Sequence, residues 1–283
     1  MTMHQDVPPL LDVANLRVRF HTPTGIVEAV RSLSFTLGRE RLGIVGESGS
    51  GKSMTGRAIL DLVPPPGEVR ADRLRFAGQD LLTMPPHDRR ALRGKRMSMV
   101  MQDPKFSLNP VMKVGEQIAE GYRVHRRASR TEARERALEM LDSVRIRDPK
   151  RVYDLYPHEV SGGMGQRIMI AMVLIAEPDL LIADEPTSAL DVTVQMQVLA
   201  ILDDLVSQRG MGLIFISHDL SLVGSFCDRV IVMYAGKVME TLAARDLANA
   251  RHAYTRGLLR CMPELDRRDE TLPTLQREAA WLA

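Results

Sequence analysis

The residues best suited to chemistry form the run Gly46-Glu47-Ser48-Gly49-Ser50-Gly51-Lys52-Ser53, which fits the pattern GxxxxGK[ST]. Glycines at this spacing let successive backbone N–H groups turn inward around phosphate oxygens. A helix starting at the end of the loop adds the positive end of its dipole. Lys52 has the reach and charge for the β and γ phosphates of a nucleotide, and the Ser53 hydroxyl suits Mg²⁺. A second run, Leu180-Leu181-Ile182-Ala183-Asp184-Glu185-Pro186, is an apolar strand that ends in two carboxylates. Such a strand buries its body and delivers Asp184 to the carboxyl edge of a sheet, where open α/β folds bind ligands. Asp184 is then placed for the Mg²⁺ shell, and Glu185 for polarising an attacking water.

Both runs need particular elements around them. Leu42-Gly43-Ile44-Val45 reads as the strand before the glycine loop, and a helical pattern runs from Lys52 to a stop at Pro64-Pro65-Pro66. Upstream, residues 9–45 read as short strands and turns. Leu11, Val13, Leu16, Val18 and Phe20 alternate in part, and a turn signal follows at 22–25. Met97 to Met101 reads as a buried strand, and the same style returns at Leu180–Ala183, Gly212–Ile216 and Val230–Met233. Buried apolar strands alternating with helices predict an α/β core with a parallel sheet. Residues 103–160 differ: proline and polar turns lead into charged helical sequence. Ser129 and Glu132 stand at capping-box spacing there, and Ala133, Ala137, Leu138, Leu141 and Val144 fall on one helical face.

A third run decides the family. Val160-Ser161-Gly162-Gly163-Met164-Gly165-Gln166 precedes a helix-like stretch, Ser188-Ala189-Leu190-Asp191 follows the acidic strand end, and Ser217-His218-Asp219 follows later. With the phosphate loop, in this order and spacing, the set resembles the ATP-binding cassette (ABC) ATPases over almost the whole chain. The resemblance implies a P-loop NTPase fold of the ABC type, with an N-terminal antiparallel β subdomain and a helical insertion at about 103–165. It places the ATPase domain at 1–250 and a short C-terminal extension at 251–283.

The resemblance also implies roles. Ser161, Gly162 and Gly163, with Met164 and Gln166 in the same signature run, face the nucleotide of a second ATPase subunit. Gln102 is the residue that senses the γ-phosphate, joins the Mg²⁺ shell and links to the helical insertion. His218 contacts the γ-phosphate, Asp191 ends a loop across the ATPase pair, and Phe20 stacks on adenine. ATP and Mg²⁺ are the ligands expected.

Within the family the chain resembles ATPase subunits of the peptide and nickel importers. The carriers are the phosphate loop, Met101-Gln102-Asp103-Pro104 with Ser107-Leu108-Asn109-Pro110, the signature with Gln166-Arg167, Met233-Tyr234-Ala235-Gly236-Lys237, and Tyr254-Thr255-Arg256-Gly257-Leu258-Leu259. The resemblance implies a second, different ATPase, two membrane permeases and an extracytoplasmic binding protein as partners. It puts the chain at the cytoplasmic face of the inner membrane, as a peripheral subunit taking up peptides or nickel. Two departures stand out. Gly165 replaces the arginine usual in these importers, and the tail after Leu259 has only Cys261, so no iron–sulfur cluster is expected.

Composition sets the outer bounds. The chain has 283 residues, 45% hydrophobic and 26% charged, with 38 basic against 36 acidic residues and a net charge of +2. That balance argues against a general nucleic-acid binder. Two cysteines without a CxxC pair argue against a disulfide framework or a zinc site. No secretory signal or membrane-spanning run is visible. The alternative of a soluble ABC ATPase acting in DNA repair or translation calls for a long coiled-coil insertion or two cassettes, and the sequence shows neither. A regulatory subunit unable to cleave ATP is disfavoured because Lys52, Asp184, Glu185 and His218 are all present.

Overall fold

The computed structural model describes residues 8–101, 107–188, 190–261 and 281. Along the chain run β1 (Leu11–Thr22), β2 (Gly25–Leu37), β3 (Arg41–Val45), α1 (Lys52–Ile59), β4 (Gly67–Arg70), β5 (Arg73–Phe76) and β6 (Gln79–Asp80). Next come α2 (Pro86–Leu92), β7 (Met97–Val100), α3 (Val114–Arg126), α4 (Arg130–Ser143), α5 (Pro149–Tyr153) and α6 (Gly162–Leu174). The last are β8 (Leu180–Asp184), α7 (Val192–Arg209), β9 (Gly212–Ser217), α8 (Leu220–Phe226), β10 (Arg229–Tyr234), β11 (Lys237–Ala243) and α9 (Ala253–Arg260). The chain forms two compact units, residues 1–83 with 214–283, and residues 84–213.

In the first unit β1 and β2 pair as a long antiparallel hairpin from Thr22↔Gly25 to Leu11↔Leu37, where the sequence suggested short strands. The partial alternation of Leu11, Val13, Leu16 and Val18 has a physical cause. The register shifts between Val13 and Leu16, and Asn15 there takes a left-handed φ of 52°. An extra residue at a bulge returns Leu16 to the core face, and asparagine tolerates that conformation better than most residues. β4 and β5 also pair with β1. A second sheet in this unit runs β11-β10-β3-β9. β10 lies parallel to β3, from Arg229↔Leu42 to Val232↔Val45. Leu42, Ile44, Val45 and Val230–Met233 are fully buried, as strands of a parallel sheet covered on both faces must be.

Helix α1 stops well before the prolines expected to end it. Asp61 adopts φ 58°, and Asp61 and Leu62 donate back to the Ala58 and Arg57 carbonyls, a left-handed termination that closes the helix through its own backbone.

In the second unit β7 and β8 run parallel, from Met97↔Leu180 to Val100↔Ala183. Arg96 secures their start: its Nε meets Asp179 Oδ2 at 2.7 Å and its carbonyl accepts from the N–H groups of Asp179 and Leu180. Helices α3, α4, α5 and α6 pack on one another, and α6 also packs on β7. The helical segment therefore belongs to a body larger than 103–165. Ser129 caps α4 by accepting the Glu132 N–H, and Ala133, Ala137, Leu141 and Val144 are buried. Gly115 is needed for space: a Cβ there would lie 2.1 Å from the Tyr153 ring.

Cys227 closes α8 and is buried against Gly43 of β3. Burial, with Asp228 adding to it, pushes its thiol up to about 12. Since the thiolate is the reacting form, iodoacetamide at pH 8 should modify Cys261 but leave Cys227 unlabelled until the chain is denatured. Mass spectrometry of tryptic peptides checks this; native labelling of Cys227 would contradict the packing.

Candidate nucleotide site

Strand β3 ends at Val45, and the loop Gly46–Gly51 connects it to α1. Two of its glycines are required by close approach. At Gly46 (φ 151°) a Cβ would lie 2.1 Å from the Met233 carbonyl oxygen, and at Gly51 (φ 98°) 2.3 Å from that of Ala29. The loop is pinned from outside as well. The N–H of Gly236, in the turn between β10 and β11, donates to the Ser50 carbonyl at 3.0 Å. Ser48 and Gly49 at the tip are exposed, whereas Ser50 is buried and its Oγ lacks a hydrogen-bond partner among the described residues.

Lys52 is only 6% exposed. Its Nζ donates to the carbonyl oxygens of Gly46 at 2.8 Å and Glu47 at 2.9 Å, so the ammonium closes the loop on itself. Helix α1 has no side-chain N-cap and no acidic residue in its first turn. That turn itself supplies no carboxylate to its positive end, and polyphosphate is a chemistry that fits a helix start of this kind. Ser53, half-buried, lies in that first turn. Phe20, near the end of β1, is half-buried and pairs with Val27 and Gly67. His218 is exposed just beyond β9, ahead of Asp219, which caps α8 by accepting the Leu222 N–H.

The other predicted residues lie in the second unit. Asp184 ends β8 and is 4% exposed. Glu185 follows at φ 47°, a left-handed conformation that few non-glycine residues adopt and that marks functional positions more often than others. Its carbonyl accepts from the backbone N–H and the hydroxyl of Ser188, which closes a tight turn after the strand.

Ser161 is the exposed N-cap of α6, its Oγ accepting the Met164 N–H at 3.3 Å. Gly162 faces open space, while a Cβ on Gly163 would lie 2.7 Å from Val194 Cγ1 at the start of α7. Asp191 caps α7 through the Val194 N–H. Gln166 departs from its expected role. It is 2% exposed, and its Nε2 donates to the Pro186 carbonyl at 2.5 Å. Its amide therefore serves the turn after Glu185 within the same chain rather than a partner's nucleotide. Gln102 lies outside the described residues.

No group of three His, Cys, Asp or Glu residues fit to hold a metal occurs among the described residues. Mg²⁺ takes few protein ligands and keeps water and phosphate oxygens, and the Ser53 hydroxyl in the first turn of α1 has the chemistry of such a ligand.

Comparison with known proteins places these features. The ABC transporter family profile matches residues 30–188. The chain belongs to the ABC transporter family. This ABC ATPase is 47% identical over 273 residues to the oligopeptide transport ATP-binding protein OppD of Escherichia coli, covering 96% of this chain and 81% of that one. It is 48% identical over 259 residues to OppD of Salmonella typhimurium, covering 91% and 77%. Among solved structures it resembles a dimeric ATP-binding cassette bound to ADP and phosphate, with a TM-score of 0.72 and 27% identity over 83% of this chain and 99% of that one. The α/β P-loop fold and the ATPase expectation hold. Both named relatives are transport proteins, which favours transport over DNA repair or translation.

Two features of the ABC ATPase's loop were not read from sequence. Gly236 and Tyr254 both bond to it, although they lie far along the chain. Neither carries a local pattern that points to the loop.

Proposed function

We propose that this ABC ATPase is the ATP-binding subunit of a peptide importer, peripheral to the cytoplasmic face of the inner membrane. The glycine loop closed by the Lys52 ammonium at a helix start without a side-chain cap supports the nucleotide part of the reading, and the likeness to the OppD proteins supports the peptide part. Lys52 exchanges its two loop carbonyls for β and γ phosphate oxygens, and Phe20 stacks on adenine. Ser53 and Asp184 would hold Mg²⁺, which supplies neutralisation of phosphate charge. Glu185 takes a proton from the attacking water, Gln102 and His218 hold the γ-phosphate region, and the exposed Ser161 hydroxyl with the first N–H groups of α6 faces the nucleotide of a second ATPase. Asp191 lies across that pair. ATP binds the closed pair better than the open one, and that difference drives movement in two permeases supplied by an extracytoplasmic binding protein.

The experiment is purification of the tagged chain from gently solubilised membranes. Two multi-span permeases and a second ATPase should accompany it, and mass spectrometry identifies them. Recovery without any membrane protein would overturn the importer reading.

A further inference from the structure

The segment after residue 250 reads as an appendage, yet one of its side chains reaches the phosphate loop. Tyr254, in the first turn of α9, is 0% exposed. Its Oη accepts the backbone N–H of Glu47 at 3.2 Å, across 207 positions of sequence. The phenol ring is held on two sides, by Tyr234 (ring centroids 4.8 Å apart) and by Trp281 (5.4 Å, near edge-to-face). The start of α9 is fixed as well. Glu240 on β11 accepts the N–H groups of Arg251 and His252, and the His252 ring Nδ1 accepts that of Tyr254.

Glu47 is thus gripped at both ends of its backbone: Tyr254 takes its N–H, and its carbonyl is shared by the Lys52 ammonium and the Ser50 N–H within the loop. The two grips differ in kind. The Lys52 ammonium must leave when it turns to phosphate, whereas the Tyr254 hydroxyl has no reason to move. We propose that Tyr254 is a positioning residue for the phosphate loop, and that α9, with Trp281 against the phenol, is a built part of the nucleotide site. Tyr254 keeps the first half of the loop in its binding shape once Lys52 has let go. This rests on the reading of Gly46–Ser53 as the ATP loop.

The test compares Tyr254→Phe with the wild type in the full chain, reading Kd for Mg-ATP by competition with a fluorescent ATP analogue. Phenylalanine keeps the ring packing and removes the hydroxyl that holds the Glu47 N–H, so the unliganded loop can leave its binding shape and must return to it on binding, which raises Kd by up to about tenfold. The expected result is that Kd rises severalfold within that limit, while kcat of the assembled transporter changes by less than about twofold because no group at the reacting atoms is touched. Trp281→Leu keeps the hydroxyl but removes its backing, and should raise Kd in the same direction by a smaller factor. Wild-type Kd in Tyr254→Phe, or a fall in kcat with Kd unchanged, overturns the proposal. Lys52→Ala measured alongside separates the two readings. If it too binds ATP normally, the loop is not the nucleotide site; if it loses ATP while Tyr254→Phe does not, only the role of Tyr254 fails.

Discussion

Lys52→Ala is expected to weaken ATP binding by about a hundredfold or more. Hydrogen bonds to a charged group contribute about 1.5–3 kcal/mol each, and two ammonium–phosphate bonds at the low end already amount to about two orders of magnitude. The unliganded chain should be destabilised as well, because the ammonium makes two bonds there, to the carbonyls of Gly46 and Glu47, and at about 2–4 °C per kcal/mol the thermal midpoint should drop by about 5–10 °C. Lys52→Arg should not rescue binding, because a rigid planar fork does not fit where a compact ammonium is 6% exposed. Isothermal titration with Mg-ATP reads the affinity. Wild-type affinity in Lys52→Ala would remove the loop from the site.

Glu185→Gln should behave in the opposite way, binding ATP well and failing to cleave it. The amide has the shape of the carboxylate but cannot accept the water's proton, and general-base removal costs about 10²–10⁴-fold in rate. Glutamine also inherits the same left-handed backbone at position 185, so the local strain is unchanged and the turn should survive. Phosphate release from the assembled transporter, beside ATP affinity, separates chemistry from binding. Hydrolysis within tenfold of wild type would assign the base elsewhere.

Much of this architecture was open to a reading of local pattern. The strand–loop–helix at 42–59, the strand ending in Asp184 and the Ser129 cap each depend on residues within a few positions of one another, so spacing carries them. What escaped depends on contacts between distant segments. The bulge at Asn15 turns a doubtful alternation into one long strand, and only the partner strand reveals it. Helix α1 ends at Ile59 because Asp61 takes a left-handed conformation, ahead of prolines that looked decisive. The clearest case is Gln166. Its position in the signature run suggested a partner-facing role, but its burial and its bond to Pro186 follow from how α6 packs, which no spacing rule encodes. The pinning of the loop by Gly236 and Tyr254 was hidden for the same reason.

The bond from Gln166 to Pro186 has a mechanical consequence. Little more than one turn of helix separates the exposed Ser161 from Gln166, and Pro186 adjoins the carboxylate residue Glu185. A displacement of the first turn of α6 is therefore passed to the turn after Glu185, through a bond shielded from water because both of its ends are buried. The capped start of α6 and the turn after the acidic strand end are thus joined through a single amide inside one compact unit.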